Sequence, residues 1–245
     1  MNRNEGNELY LKAQKAGTAR LPGENACRAI AVSACTGRYP AKCPGGNQIP
    51  LGQVDIPLNL LVGTKTTGRT AAFASNFMPL LDLKTEFASK WVNLCLSHLE
   101  EGIRDPIRCY EYMGRFYVQE GNKRVSVLKY FDATSILGNV IRIVPQYSED
   151  PAVQMYYEFM HYYPITQTYL LTFTKLGSYA RLQKILGKGP DEKWSDEDRV
   201  EIMSLYNWVE KAFLAHRGAK LSVTAGDVLL LLLRVYTMKE LADSS

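Results

Sequence analysis

The chain lacks any long hydrophobic run. Its longest uninterrupted apolar stretch, Val228 to Leu233, is far shorter than the roughly 20 residues that a helix needs to cross a bilayer. The opening residues also lack the basic, apolar and small-residue order of a secretory signal. These absences argue against a membrane protein and predict a cytoplasmic one.

Patterns that bind metals are scarce as well. The sequence has five cysteines, and no two of them have the close spacing of a zinc knuckle. Cys27, Cys35 and Cys43 recur every eight residues, but Gly37 and Pro40 interrupt any helix that could align them. We therefore expect free thiols in a reducing compartment and no metal site.

A strong excess of one charge is also missing. The net charge is +4, which is too small to indicate a nucleic-acid-binding protein by itself. All of the excess lies in residues 1–48, which are predicted to form an N-terminal helix and a basic, irregular arm: Arg3, Lys12, Lys15, Arg20, Arg28, Arg38 and Lys42 against Glu5, Glu8 and Glu24. Two interpretations of the arm stay open, namely contact with DNA phosphates and a solvated surface segment.

After the arm, residues 49–147 show both strand-like and helix-like spacing, and residues 148–245 are helical, so the predicted class is α+β. The elements predicted in the first of these regions are extended structure at 49–62, helices at 73–81 and 87–99, a hairpin about Met113-Gly114, a helix from Lys123 and a strand at 139–145. The domains are therefore taken as 1–48, 49–147 and 148–245.

The helical region carries its own start signals. Ser195 with Asp198, and Thr224 with Asp227, have the pattern of helix N-caps. The aromatic residues between 156 and 173 are predicted to be core, and the all-apolar helix near residue 228 must be buried all round or cover a partner.

One stretch changes its periodicity in the middle. The segment FYVQEGNKRVSVLKYF, residues 116–131, begins as an aromatic-rich strand and continues as a helix. Gly121 at the junction permits a tight turn. The helix that follows presents unpaired N–H groups and a partial positive charge, which attract anions.

The side chains after Gly121 suit a phosphate. Arg124 offers a planar fork for two oxygens, Lys123 adds a point charge, and Asn122 could read a sugar or a base. The alternative is an ordinary turn with two solvated cations. We predict that Arg124 contributes more than Lys123, and an internal ion pair between Arg124 and Glu120 would contradict the phosphate interpretation.

A second loop comes close to a known phosphate-binding pattern. GTKTTGRT, residues 63–70, departs from the phosphate-loop motif only at Arg69, where lysine is required. The planar arginine cannot deliver the same point charge, and no strand ending in a metal-binding aspartate is recognisable. We interpret the segment as a flexible ligand loop, with a plain connecting loop as the alternative.

The wider arrangement resembles the ParB and sulfiredoxin superfamily. In that family a helix ends at a glycine, a Pro-Ile strand follows, and a GERR or GCHR box opens the next helix. Here these features are Gly102, Pro106-Ile107 and the box at residues 121–124, and the resemblance covers roughly residues 51–145. It implies a bacterial, ParB-like domain that binds a nucleoside triphosphate such as CTP or ATP, with or without Mg²⁺, and that regulates transcription or otherwise acts on DNA.

The resemblance also implies the rest of the site. The segment VDIPLNLLVGTKTTGRTAAF looks like the first strand of the family and its arginine loop, which makes Arg69 the second phosphate-facing arginine. With Thr70 beside it, the expected ligand-binding residues are Gly121, Asn122, Lys123, Arg124, Arg69 and Thr70. Related proteins often continue into a periplasmic-binding-protein-like domain, so this chain could be the front part of a longer one.

Departures from the family leave alternatives open. Asn122 replaces the cysteine of sulfiredoxins, which excludes their repair reaction, and it also replaces a glutamate of ParB proteins. Glu120 is the substitute carboxylate, and as general base or metal ligand it would make the protein a nucleotide hydrolase, phosphotransferase or nuclease. A third interpretation is a helical scaffold with a vestigial box. Residues 175–190 lack the second recognition helix of a helix-turn-helix, which weakens sequence-specific DNA binding.

Overall fold

The computed structural model describes residues 2–19, 30–31, 48–65 and 71–243. They fall into two compact units, Met1–Gln146 and Tyr147–Ser245. Several predictions concern residues outside the described ranges: most of the basic arm, the loop residues Arg69 and Thr70, and Cys27, Cys35 and Cys43.

The first unit is built on a mixed sheet of six described strands. They are β1 (Ile30–Ala31), β2 (Gln48–Pro57), β3 (Leu61–Thr64), β4 (Ile107–Tyr112), β5 (Arg115–Glu120) and β6 (Ser135–Ile143). Their order across the sheet is β1-β3-β5-β4-β6-β2. Parallel and antiparallel pairs both occur, since β5 pairs antiparallel with β4 and parallel with β3. This architecture agrees with the predicted α+β class.

In the described part of this unit the α-helices are α1 (Arg3–Thr18), α2 (Glu86–Glu101) and α3 (Asn122–Tyr130). Their packing centres on Trp91 of α2, whose ring meets Tyr10 of α1 edge to face at 5.4 Å. The Trp91 indole N–H donates to the Ser126 hydroxyl at 2.9 Å, and both side chains are fully buried. This bond fixes α3 against α2, and α1 is part of the same core rather than of a separate arm.

The predicted hairpin joins β4 to β5. Met113 and Gly114 have φ values of 51° and 72°, the left-handed pair that a two-residue hairpin turn requires. Glu111 accepts a hydrogen bond from the Gly114 N–H at 2.7 Å, and the Arg142 side chain donates to the same carboxylate from β6. The sequence signal at this turn is therefore confirmed.

The predicted helix at 73–81 is wrong. These residues form turns, with a bridge between Phe73 and Pro79, and Phe77 takes a left-handed φ of 65°. The Asn76 side chain accepts the Met78 N–H at 3.1 Å, which stabilises the turn in place of a helical bond. Phe73 and Phe77 are buried although the segment that carries them is irregular. Their burial explains the apolar spacing that resembles a helix.

The second unit consists of helices. They are α4 (Pro151–Thr166), α5 (Ser178–Ile185), α6 (Asp196–Ala215), α7 (Ala225–Leu232) and α8 (Met238–Ala242). Ser195 and Thr224 form the predicted capping boxes with Asp198 and Asp227. The aromatic core is confirmed as well, in that the following rings are buried: Tyr156, Phe159, Tyr162, Tyr169 and Phe173.

Helix α7 is neither buried all round nor wholly open. Leu229 and Leu230 are buried, whereas Leu231 is 59% exposed. In the part of the chain that the structure describes, no helix combines the length and apolar character needed to cross a membrane. The described residues also contain no cluster of three or more side chains that could hold a metal ion.

Candidate functional site

The strand-to-helix junction predicted from the sequence is present. Strand β5 ends at Glu120, Gly121 turns with φ 103°, and α3 begins at Asn122. A Cβ atom at Gly121 would lie 2.4 Å from the Ile107 side chain, so both the backbone angle and the space require glycine. The backbone angle sets the turn, and the close approach of Ile107 adds a second reason for glycine.

Among the residues that the structure describes, no side chain caps the first turn of α3. Gly121 occupies the N-cap position without a side-chain acceptor, and its carbonyl takes the first helical bond from the Val125 N–H at 3.1 Å. The helix dipole and the N–H groups of this turn therefore favour an anion in front of it.

A cleft of about 370 Å³ opens at this turn, and we call it the turn cleft. Its lining combines both charges with two apolar side chains: Phe73, Lys90, Leu94, Asp105 and residues 119–124. Sequence reasoning missed Lys90, Phe73, Leu94 and Asp105, because no local pattern links them to residues 121–124. They reach the cleft through the packing of α2 and the irregular segment.

Two lysines supply mobile positive charge at the turn cleft. The Lys90 ammonium lies 2.7 Å from Glu86 on the exposed side of α2, and Lys123 stands over the Phe87 ring at 4.7 Å from its centroid. The pKa of Glu86 is lowered, first by its hydrogen bond with Lys90 and to a lesser extent by the charge of Lys123. Both cations therefore act on the same strip of surface.

Arg124 does not have the role predicted for it. Its Nη2 donates to both carboxylate oxygens of Glu120 at 2.7 and 2.8 Å, and its Nη1 donates to the backbone carbonyls of Asp105 and Pro106 at 2.9 and 2.8 Å. This is the internal ion pair that contradicts the phosphate interpretation in its predicted form. The pair forms because Glu120 ends β5 and Arg124 follows four residues later in the first turn of α3. Both side chains therefore lie on the same side of the turn.

The same contacts bear on the predicted catalytic carboxylate. Both oxygens of Glu120 lie against Arg124, so the structure uses this group as a counter-ion. Asp105 is the other carboxylate residue on the cleft wall. Two carboxylates, one of them already paired, are a poor set for a resident metal ion.

Asn122 carries the least satisfied polar atom of the turn cleft. The residue is 8% exposed, and its Oδ1 is buried without a hydrogen-bond partner among the described residues. A buried acceptor left unpaired costs about 1–3 kcal/mol, so natural proteins usually satisfy it. This side chain is the position in the cleft where a ligand donor would gain most.

No family model matches the chain, and no curated protein is similar to it. The turn cleft is therefore described from its own residues: Gly121, Asn122, Lys123 and Arg124 all line it, and Glu120 is bound to Arg124. Arg69 and Thr70 lie outside the described residues.

Proposed function

We propose that the first unit is a ParB-like nucleotide-sensing module that binds the phosphate of a nucleotide such as CTP or ATP at the turn cleft. The observation that supports this most is the uncapped start of α3 facing a cleft that Lys90 and Lys123 also line. Backbone N–H groups and flexible cations at a glycine turn are a common way to hold phosphate.

In this proposal Arg124 acts indirectly. A carboxylate at Glu120 would repel a phosphate in the cleft, and the ion pair with Arg124 offsets that charge. The cleft wall holds three cationic side chains and two carboxylates, but Lys90 is also paired with Glu86 beside the cleft, so the local charge is close to balanced. Binding is therefore expected to be weak and sensitive to salt.

Asn122 would select among ligands. Asn122 lines the cleft, and its buried amide oxygen has no partner among the described residues, so a sugar hydroxyl or a base amino group that reached it would be a suitable donor. Any Mg²⁺ would arrive on the phosphates of the nucleotide, since the carboxylates of the cleft wall offer it few ligands.

Isothermal titration with CTP, ATP and GTP, each with Mg²⁺, tests the proposal. We expect heat with at least one nucleotide, none with the corresponding nucleoside, and weaker binding by Lys90→Ala. Lys84→Ala is the matched control, because Lys84 is exposed in the same unit and does not line the cleft. No heat with any of the three at high protein concentration would refute nucleotide binding.

The enzymatic alternative rests on Glu120 alone. Phosphoryl transfer usually needs a metal ion held by more than one protein group, and the known partner of Glu120 is Arg124. Product release from wild-type protein that is lost in Glu120→Gln with affinity retained would favour an enzyme over a sensor.

A further inference from the structure

Helix α3 also borders a second cavity, which we call the Lys129 cavity. It has a volume of about 800 Å³ and shares no lining residue with the turn cleft. Its walls come from α1, the segment before β3, the irregular segment and the end of α3. Most of the lining is apolar or uncharged, including Leu58, Leu61, Met78, Asn59, Ser75 and Asn76.

Lys129 is the one cation among the described residues on this wall. Its Nζ donates to the Leu61 carbonyl at 2.8 Å and lies 4.9 Å from the centroid of the Phe77 ring. Lys129 is half-buried, and no described carboxylate forms an ion pair with it. The ammonium group is thus held by a dipole and a ring face while its charge stays uncompensated.

The titratable groups around the amine are few. The cavity wall carries Tyr130 and Asp132, both from α3 and the turn after it, while the lining residues from α1, the segment before β3 and the irregular segment are not titratable. Asp132 is exposed to solvent. Burial lowers the pKa of Lys129 from 10.5 to about 8.

We propose that Lys129 is a reactive amine that takes a small, neutral carbonyl compound from the cavity as an imine. The amine lone pair attacks the carbonyl carbon, and a C–N bond forms as one amine proton passes to the oxygen. The second amine proton then leaves with the hydroxyl group as water, which breaks the C–O bond and leaves C=N. No electrons are exchanged with another reagent, so the step is complete with amine and carbonyl alone.

The surroundings favour this chemistry over anion binding. An anion site needs a lysine that stays protonated, whereas this environment disfavours the charged form. With the pKa near 8, roughly one Lys129 in eleven is neutral at pH 7, compared with about one in three thousand for a lysine with the ordinary pKa of 10.5. Asn59, Ser75 and Asn76 could hold a carbonyl or hydroxyl oxygen without adding charge.

Reductive trapping on the wild-type protein tests the inference. The protein is treated with propanal and sodium cyanoborohydride across pH 6.5–9.5, and the extent of labelling at each lysine is followed by peptide mass spectrometry. We expect Lys129 to react at least about ten times faster than Lys90 near neutral pH, with its rate half-maximal near pH 8. Lys90 is the internal comparison, being 62% exposed and ion-paired with Glu86.

Two controls show whether the fast labelling comes from Lys129 and depends on its folded environment. In concentrated urea the preference for Lys129 should disappear, because only the folded environment creates it. In Lys129→Met the fast labelling should be lost while labelling of Lys90 is unchanged. Labelling of Lys129 that is no faster than that of Lys90 in the folded protein, or a preference that persists in urea, overturns the proposal.

Discussion

The described residues of the first unit include two arginine–glutamate pairs in different surroundings. Arg142 and Glu111 are directly opposite each other on β6 and β4, and their side chains are 6% and 0% exposed. Arg124 and Glu120 meet at the rim of the turn cleft, where their side chains are 16% and 58% exposed. Arginine and glutamate thus form one pair that is buried and one that is partly exposed to solvent.

The buried Arg142–Glu111 pair maintains the fold, whereas the more exposed Arg124–Glu120 pair can change its contacts. Glu111 also accepts the Gly114 N–H, so the buried pair joins the hairpin turn to a neighbouring strand. Loss of one buried partner leaves a charge in a low-dielectric interior, whereas Glu120 can return to water at little cost. Charge at the turn cleft can therefore change while the sheet stays intact.

The largest predicted effect is on the buried pair. Glu111→Gln should lower the free energy of unfolding by about 3–5 kcal/mol, because Arg142 would lose its compensating charge without gaining water. Urea denaturation followed by circular dichroism measures the loss. The matched control is Glu120→Gln, which removes the same charge at the rim and should cost less than about 1 kcal/mol. Equal losses in the two variants would show that the difference in burial has no energetic consequence.

The half-buried Lys129, which pairs with no described carboxylate, extends the comparison. The unfolded chain keeps the Lys129 proton up to about pH 10.5, whereas the folded protein releases it near pH 8. Because the unfolded state binds more protons between these values, the Lys129 contribution to stability rises with pH across this window. Below it, Lys129→Met should be more stable than wild type by about 2 kcal/mol.

The gap between wild type and Lys129→Met should close as pH rises from about 8 to 10.5. Only the difference between the two proteins is informative, because burial raises the pKa values of Cys95 and Cys109, first of all by desolvation, and their titration affects both alike. Chemical denaturation at several pH values measures it. A gap that is constant with pH would mean that Lys129 is charged in the folded protein throughout.

The rim pair should control binding at the turn cleft. If a nucleotide binds there, Arg124→Ala should weaken it about tenfold by exposing the phosphate to the Glu120 charge. Adding Glu120→Gln should restore most of the affinity, and titration calorimetry of both variants measures this. A double variant that binds as weakly as Arg124→Ala alone would instead indicate direct contact between Arg124 and the ligand.

The smallest effect is expected at Lys123. Its ammonium is a flexible point charge near the cleft, so Lys123→Ala should weaken nucleotide binding by less than about fivefold at low ionic strength. The loss should become nearly undetectable at high salt, where screening removes such contributions. A loss that is independent of salt would place Lys123 in a dry, specific contact.

Local signals predicted several elements correctly. The Met113-Gly114 turn, the end of α2 at Gly102 and the cap at Ser195 all depend on backbone angles or hydrogen bonds within a few residues. The start of α3 after Gly121 was predicted on the same basis. Each of these features is decided by its own neighbourhood, so a single sequence suffices to find it.

Predictions that depended on distant partners were less successful. Phe73 and Phe77 have helical spacing, but their burial comes from a turn whose Phe77 backbone is left-handed. Lys129 resembled any surface cation on a helix until packing placed it beside Leu61 and Phe77. The spacing of apolar residues along the chain indicates that a residue is buried, but it does not indicate which residues cover it.

The sequence by itself determined the α+β class, the hairpin, the helix caps and the glycine turn before α3, because these depend on propensities and bonds of short range. Tertiary structure decided the part of the Arg124 network that lies far away in sequence, namely its hydrogen bonds to the Asp105 and Pro106 carbonyls. The local geometry alone would allow the Arg124 guanidinium group to face either a ligand or a neighbouring carboxylate. Asp105, Pro106 and Glu120 lie on the same side of the turn, so their oxygens are available to Arg124 as acceptors. A charged guanidinium group binds the acceptors that packing brings within reach.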